Sequence, residues 1–264
     1  MRINDRTGSL ERLLARKSVG RALRLFMRPP AAAPSQLEVR DGYRLWAPDY
    51  AVETATSFLD DELARTMLDG LPKTRLLDAG CGVGRRITDI PGAMGIDLSP
   101  EMLAAGGAQN VVAGDIRAMP FAQGQFDLVW CRLVLGHLRD PLPAYQEFFR
   151  VCIPGGYVFV TDFHPDAVRA GHRRTFTDQA GVVHDVEHYV HASHADLAAK
   201  AGLRMIAHRD AVVGPSVRDF YVRGIGRKPY IRDFGLNLVS AYLFQRPSAG
   251  VQHQAESIQR NSPA

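Results

Sequence analysis

The stretch Leu76-Leu-Asp-Ala-Gly-Cys-Gly-Val-Gly-Arg85 decides the reading of this chain. Its apolar start reads as a short buried strand, and it runs directly into glycines at 80, 82 and 84. Alternate glycines let the backbone turn tightly and let a ligand approach where a Cβ would collide. Asp78 adds a carboxylate two positions before the first glycine. In an open sheet with strands in parallel, ligands bind at the carboxyl ends of the strands, so the ends of the neighbouring strands are the next places to look.

Two of those ends also finish in an acid. Gly95-Ile-Asp-Leu-Ser-Pro-Glu-Met-Leu103 carries Asp97, placed to accept both hydroxyls of a ribose, and Val112-Ala-Gly-Asp-Ile116 carries Asp115, placed to accept from an exocyclic amine of a base. Short buried strands are expected at Arg75 to Asp78, Ala93 to Asp97, Asn110 to Ala113, Phe126 to Leu133, Gly156 to Phe163, Leu203 to Val212 and Ser240 to Gln245. Helices are expected at Pro100 to Ala105, Pro141 to Cys152 and His194 to Ala201, the last capped by Ser193 and stopped by Gly202. The alternation predicts an α/β fold, a doubly wound and mainly parallel seven-stranded sheet with helices on both faces. Three acids at successive strand ends suit a nucleoside that carries a cation and no phosphate. A dinucleotide site would place a third glycine where Arg85 stands, and Asp78 would crowd a pyrophosphate.

At these residues the chain resembles the class I S-adenosylmethionine-dependent methyltransferases, especially the group of quinone-biosynthesis and malonyl-carrier-protein methyltransferases. The resemblance runs from about Tyr43 to Phe163. It implies a Rossmann-like fold, S-adenosyl-L-methionine as cofactor and S-adenosyl-L-homocysteine as product. Asp78, Gly80, Gly82 and Gly84 match the family's first motif, which supports the methionine part of the cofactor. Asp97 matches the ribose-binding acid with Leu98 flanking the adenine, and Asp115 with Ile116 matches the adenine-binding pair. Phe126-Asp-Leu-Val-Trp-Cys-Arg-Leu-Val-Leu-Gly-His137 is similar to the fourth-strand motif, which implies that Arg132 and Leu133 lie against the cofactor. Arg150 to Val160 resembles the helix-turn-strand that completes the core, and Tyr43-Arg-Leu-Trp-Ala-Pro-Asp-Tyr50 the aromatic segment that closes over the cofactor, with Tyr50 in contact. One departure stands out: Asp78 and Asp97 are 19 residues apart, about one helical turn short of the family pattern, so the helix after the glycines, around Arg85 to Ile90, is expected to be short.

Around this core, residues 1–36 read as a basic amphipathic helical arm and a Pro/Ala linker, 37–246 as the methyltransferase domain, and 247–264 as a polar, disordered tail. A helical pattern is expected from about Val39 to Leu71. The segment Arg174 to Val190 breaks the alternation and reads as a β-hairpin turning at Asp178 to Gly181, inserted after the fifth strand as a lid over about 172–191.

Charge and composition narrow the partners. The 264 residues are 46% hydrophobic and 23% charged, which is the profile of a folded globular protein. The net +4 is uneven: residues 1–28 carry eight basic and two acidic side chains, which leaves the remainder at −2. A nucleic-acid-binding surface on the body is therefore not expected. The arm reads either as a peripheral contact to anionic membrane or as a cap over the acceptor pocket. No apolar run reaches the ~20 residues of a membrane span, and the first residues lack the apolar block of a signal peptide, so a cytoplasmic location is expected. Three cysteines, Cys81, Cys131 and Cys152, are too few and too scattered for a disulfide framework or zinc site.

The implied reaction moves an already activated methyl group, so the protein mainly aligns the reactants and excludes water. A base is needed only for a nucleophile that holds a proton. His137 and His164, just beyond the fourth and fifth strands, are the candidates, against the structural alternatives that His137 packs on the pocket and His164 caps a turn. They favour a small-molecule acceptor methylated on oxygen, a hydroxyl of a lipophilic or secondary metabolite, over carbon or nitrogen. The histidines at 172, 184, 188, 191 and 194 do not converge in a strand, so no metal is expected. The rival functions are a nicotinamide-dependent oxidoreductase and a non-catalytic cofactor-binding regulator.

Overall fold

The computed structural model describes residues 35–47, 50, 53–191, 193–224 and 226–248. The helices expected in the basic arm and the polar tail beyond 248 lie outside the described residues.

Seven strands form the main sheet: β2 (Leu76–Ala79), β3 (Met94–Asp97), β4 (Val111–Ala113), β5 (Phe126–Arg132), β6 (Cys152–Phe163), β9 (Arg204–Val212) and β10 (Asn237–Gln245). Their spatial order is β4-β3-β2-β5-β6-β10-β9, all parallel except β10, which runs antiparallel to both β6 and β9. Strand order reverses between β2 and β5, the switch point where an open α/β sheet leaves a crevice. The central strands bury both faces. In β5, Leu128 and Trp130 pack into one core with Leu59 and Leu63, while Val129 and Cys131 pack into the other with Tyr145 and Phe148.

Helices cover the two faces: α2 (Ala55–Met67) on one, and α4 (Leu142–Val151) with α6 (His194–Lys200) on the other. Short helices α3 (Pro100–Gly106), α5 (Pro165–Arg169), α7 (Arg218–Gly224) and α8 (Arg227–Asp233) fill the connections. The Val39 to Leu71 pattern resolves into two helices, α1 (Val39–Trp46) and α2. The second is opened by a capping box in which Thr54 and Ser57 bond reciprocally.

Two expectations are corrected. No helix follows the glycines: residues 85–89 form turns, with Ile87 N–H bonded to Gly84 O and Ile90 N–H to Ile87 O, and Pro91 closes them. The missing turn of the 19-residue spacing is therefore a missing helix. The end of the Pro/Ala linker is also not a linker, because β1 (Ser35–Leu37) pairs in parallel with β8 (Val183–Val186), which pairs antiparallel with β7 (Thr175–Thr177). The predicted hairpin is thus part of a separate three-stranded sheet. Helix α1 docks on it through Trp46, which stacks on Phe176 at 5.1 Å between centroids, with Val186 beside them.

Candidate functional site

The carboxyl ends of β2 to β5 meet at one edge of the sheet, around a cavity of about 310 Å³. Gly80 and Gly82 wall it after β2, Asp97 and Leu98 after β3, Asp115 and Ile116 after β4, and Leu133 and His137 after β5. Tyr43 and Tyr50 line it from the α1 side.

Hydrogen bonds fix the glycine turn. Gly80 N–H and Cys81 N–H both donate to Ile96 O, at 2.8 and 3.0 Å. Gly80 has φ +83, and a Cβ there would lie 2.5 Å from Val134 Cγ2, so only glycine fits. Asp97 is held by Gly82 N–H on Oδ2 at 2.7 Å and Ser99 N–H on Oδ1 at 2.9 Å, which leaves each oxygen a second lone pair for a diol. Burial raises the Asp97 pKa against these backbone donors. Asp115 takes a fork of bonds from the Arg117 side chain, which lowers its pKa. After β5 the chain bends at Leu133, whose φ of +60 is a strained value for a side chain of this size and sits on the cavity wall.

Asp78 and Arg132 stand behind the wall. Asp78 is fully buried, neither of its carboxylate oxygens makes a hydrogen bond within normal geometry among the described residues, and burial pushes its pKa up to about 6 in spite of Arg86, Arg132 and the Trp130 indole. The Arg132 side chain does not face the cavity as expected. Its Nε and Nη2 donate to Asp60 at 3.2 and 2.8 Å, and Nη2 also pairs with Asp61, which ties β5 to α2. Asp60 also takes Arg86 Nη2 at 2.8 Å and Thr161 Oγ1 at 2.6 Å. Gly84 also stands off the wall; with φ +71 it backs onto Ala108.

The two candidate bases part company. His137 is buried on the cavity wall, in the 3-10 turn Leu135–His137. Its Nδ1 lies 2.8 Å from Glu187 O, which only accepts, so Nδ1 carries the proton and Nε2 accepts from Tyr43 Oη at 2.7 Å. Burial, with Arg174 and His188 nearby, lowers its pKa to about 3, so the imidazole is neutral. Burial likewise raises the Tyr43 phenol. His164 is not among the cavity walls. Its Nδ1 accepts from Asp166 N–H at 3.0 Å and caps α5, so the turn-capping alternative describes its placement.

Two histidines, His188 of the lid and His194 of α6, share a carboxylate. Asp162, at the end of β6, lies 3.3 Å from His188 Nε2 and 3.5 Å from His194 Nε2. Burial alone would raise its pKa, and the bonds from these two rings hold it well below the usual carboxylate range. Among the described residues no group of three or more His, Cys, Asp or Glu is arranged to hold a metal ion. Sequence reasoning missed Asp60, Asp162, Arg174 and Glu187. Asp60 alone had a readable signal, since it falls on the buried stripe of α2 between Leu59 and Leu63.

The residues present fit S-adenosylmethionine. A buried carboxylate, Asp78, with no hydrogen bond among the described residues lies beside the glycine turn, where a cation is needed, and the acids at 97 and 115 stand where a ribose and a base would be held. Comparison with known proteins agrees. Residues 77–160 match the family model described as a methyltransferase domain. The malonyl-[acyl-carrier protein] O-methyltransferase of Dechloromonas aromatica is 31% identical over 66% of this chain and 68% of its own length. The demethylmenaquinone methyltransferase of Mycolicibacterium vanbaalenii is 35% identical over 38% of this chain and 46% of its own length, so the chain spans under half of that relative. The putative methyltransferase solved in complex with the Trm112 activator of Haloferax volcanii shares the fold, with a TM-score of 0.55 and 18% identity over 79% of this chain and 99% of that one.

Proposed function

The chain belongs to the family of S-adenosylmethionine-dependent methyltransferases, and from that premise we propose that it methylates an oxygen of a small molecule, with Tyr43 and His137 handling the acceptor's proton. The cofactor is S-adenosylmethionine. When bound, it supplies a methyl group on a positively charged sulfur, already activated for in-line displacement. Asp97 would hold the ribose hydroxyls, Leu98, Asp115 and Ile116 would hold the adenine, and Asp78, behind the glycine turn, would favour the positively charged amino group.

The observation that carries the proposal is the chain from Tyr43 Oη to His137 Nε2, closed by His137 Nδ1–H on Glu187 O. The Tyr43 oxygen takes the proton of an acceptor hydroxyl while giving its own to Nε2. An imidazole with a pKa of about 3 is a weak base, so this transfer comes late, once the acceptor oxygen carries the new methyl and is strongly acidic. Val39, Val134 and Leu138 add apolar surface to the same cavity, which suits a lipophilic acceptor. The relative named as an O-methyltransferase supports oxygen as the accepting atom.

The test is a labelled-methyl screen over phenols, alcohols and carboxylic acids. Turnover of a hydroxyl acceptor should fall about 100-fold in His137→Gln and in Tyr43→Phe, while S-adenosylhomocysteine affinity is kept. A carboxylate acceptor has no proton to lose and should be spared. Equal losses for both acceptor types, or no turnover of any oxygen acceptor, would count against the proposal.

A further inference from the structure

Arg174 is a buried cation to which the described residues offer no anion. It directly precedes β7, is 5% exposed, and its guanidinium makes two hydrogen bonds, both to phenol oxygens: Nε to Tyr43 Oη at 3.2 Å and Nη2 to Tyr50 Oη at 3.4 Å. Two aromatic rings lie beside it, with Cζ 5.4 Å from the Trp46 ring and 5.9 Å from the Phe163 ring, and the like charge of Arg86 acts on it as well. A guanidinium keeps its charge and carries five N–H donors in a rigid fork, so two long bonds to neutral oxygens leave it under-compensated. The buried Arg86 and Arg132 show the contrast, since both are paired with Asp60.

On the other side of the glycine turn is Asp78, a buried carboxylate with no hydrogen bond among the described residues and with Arg86 and Arg132 near it. Tyr50 connects the two regions. Its hydroxyl takes Arg174, and its ring leans on the glycine turn, with Cε1 3.5 Å from where a Cβ of Gly82 would stand. Through Tyr50, which lines the cavity, Arg174 is thus set behind its glycine-turn end.

We propose that Arg174, with the hydroxyl of Tyr50, forms a carboxylate-binding corner at the glycine-turn end of the cavity. The fork of a guanidinium matches the two oxygens of a carboxylate. The carboxylate belongs either to the amino-acid arm of the cofactor or to the acceptor, and the inference rests on the cofactor reading above.

Calorimetry on the full chain tests it with S-adenosylhomocysteine and with S-adenosyl-3-thiopropylamine, which keeps the amine and lacks the carboxylate. If the cofactor supplies the carboxylate, the wild type should prefer S-adenosylhomocysteine by about 10- to 100-fold, and Arg174→Met should erase that preference without weakening the amine analogue. Arg174→Lys, which keeps the charge and most of the stem, should retain part of the preference and serves if the methionine variant does not fold. If the acceptor supplies the carboxylate, succinate should bind the wild type saturated with S-adenosylhomocysteine and fail to bind the saturated Arg174→Met variant. The proposal is overturned if both signals survive the substitutions, or if both nucleoside ligands weaken equally. A wild type that binds neither nucleoside ligand would instead refute the cofactor reading itself.

Discussion

Replacing Asp60 with asparagine should destabilise the protein more than most single substitutions, because it strands two buried arginine charges while leaving the packing around them almost unchanged. Asp60 is fully buried and accepts from Arg132, Arg86 and Thr161 at 2.6 to 3.2 Å. Breaking a buried pair from one side costs about 3–5 kcal/mol, because the partner stays buried and uncompensated. Both arginines keep a contact with the half-exposed Asp61, so the lower end, about 3 kcal/mol, is expected. For a domain of this size that corresponds to a melting temperature lower by roughly 6–12 °C. Urea unfolding followed by far-UV circular dichroism reads the difference directly. The pH dependence supplies a second check. Burial raises the Asp60 pKa, but Arg132, Arg86 and the Thr161 hydroxyl outweigh it and leave it lowered in the folded state. Its contribution is therefore fully present above the unfolded carboxylate pKa, about 4, and is lost as pH falls through the lower folded value. The gap between wild type and Asp60→Asn should be constant from pH 8 to pH 5 and close only in acid. A gap under about 1 kcal/mol at pH 7, or one that widens on acidification, would refute the reasoning.

Asp78 has the opposite sign. Its folded pKa is raised to about 6, so its protonated form competes with a bound cation below that pH. S-adenosylhomocysteine should bind more tightly as pH rises from 5 to 7, by roughly the tenfold change in carboxylate ionisation across that range, and the dependence should flatten in Asp78→Asn, as read by calorimetry. Deleting residues 1–28 removes the net +6 arm. Co-sedimentation with anionic phospholipid vesicles should be lost while S-adenosylhomocysteine affinity is unchanged; a loss of that affinity would make the arm part of the cap instead.

What could be read in the sequence follows from how far a feature depends on local chain. The glycine turn and the acids at 97 and 115 each lie within a few residues of a strand end, and a parallel sheet brings successive strand ends together whatever the details. The 19-residue gap between Asp78 and Asp97 also carried its message, although the structure takes it further than a short helix, to a run of turns before Pro91. Strand β1 was hidden because three residues have no period, and Pro34 before it reads as a breaker. Arg132 was misplaced for a different reason. Its backbone position at the end of β5 is as expected, but a long side chain goes to the best available carboxylate, and Asp60 comes from a helix 72 residues earlier. Arg174 and Glu187 lie in the inserted hairpin and the segment leaving it, where no motif marks a position. The histidines of that region were visible as a cluster, but Asp162, the partner of His188 and His194, was not, since it reads as one more residue of a buried strand.

The floor and roof of the cavity differ in what holds them, and this bears on where selectivity arises. The floor is built on sheet hydrogen bonds and two buried cores. The roof is assembled from distant pieces, α1 and the hairpin joined by a small aromatic cluster, then stitched to the 3-10 turn after β5. The hydrogen bonds to that turn are Tyr43 Oη to His137 Nε2 at 2.7 Å, His137 Nδ1 to Glu187 O, Tyr189 N–H to Gly136 O at 2.6 Å, and His191 Nε2 to Leu135 O at 3.0 Å. His188 packs against Gly136 so closely that any Cβ there would collide with its ring. Each stitch is a hydrogen bond with a net worth of about 1 kcal/mol, far less than it would cost to part the sheet, so local opening should fall on the roof. His137 belongs to the stitches and to the proposed proton path alike. With the roof in place, Glu187 O sets the tautomer of His137 and, through Nε2, the direction of the Tyr43 hydroxyl, so opening the roof is expected to undo the proposed proton path.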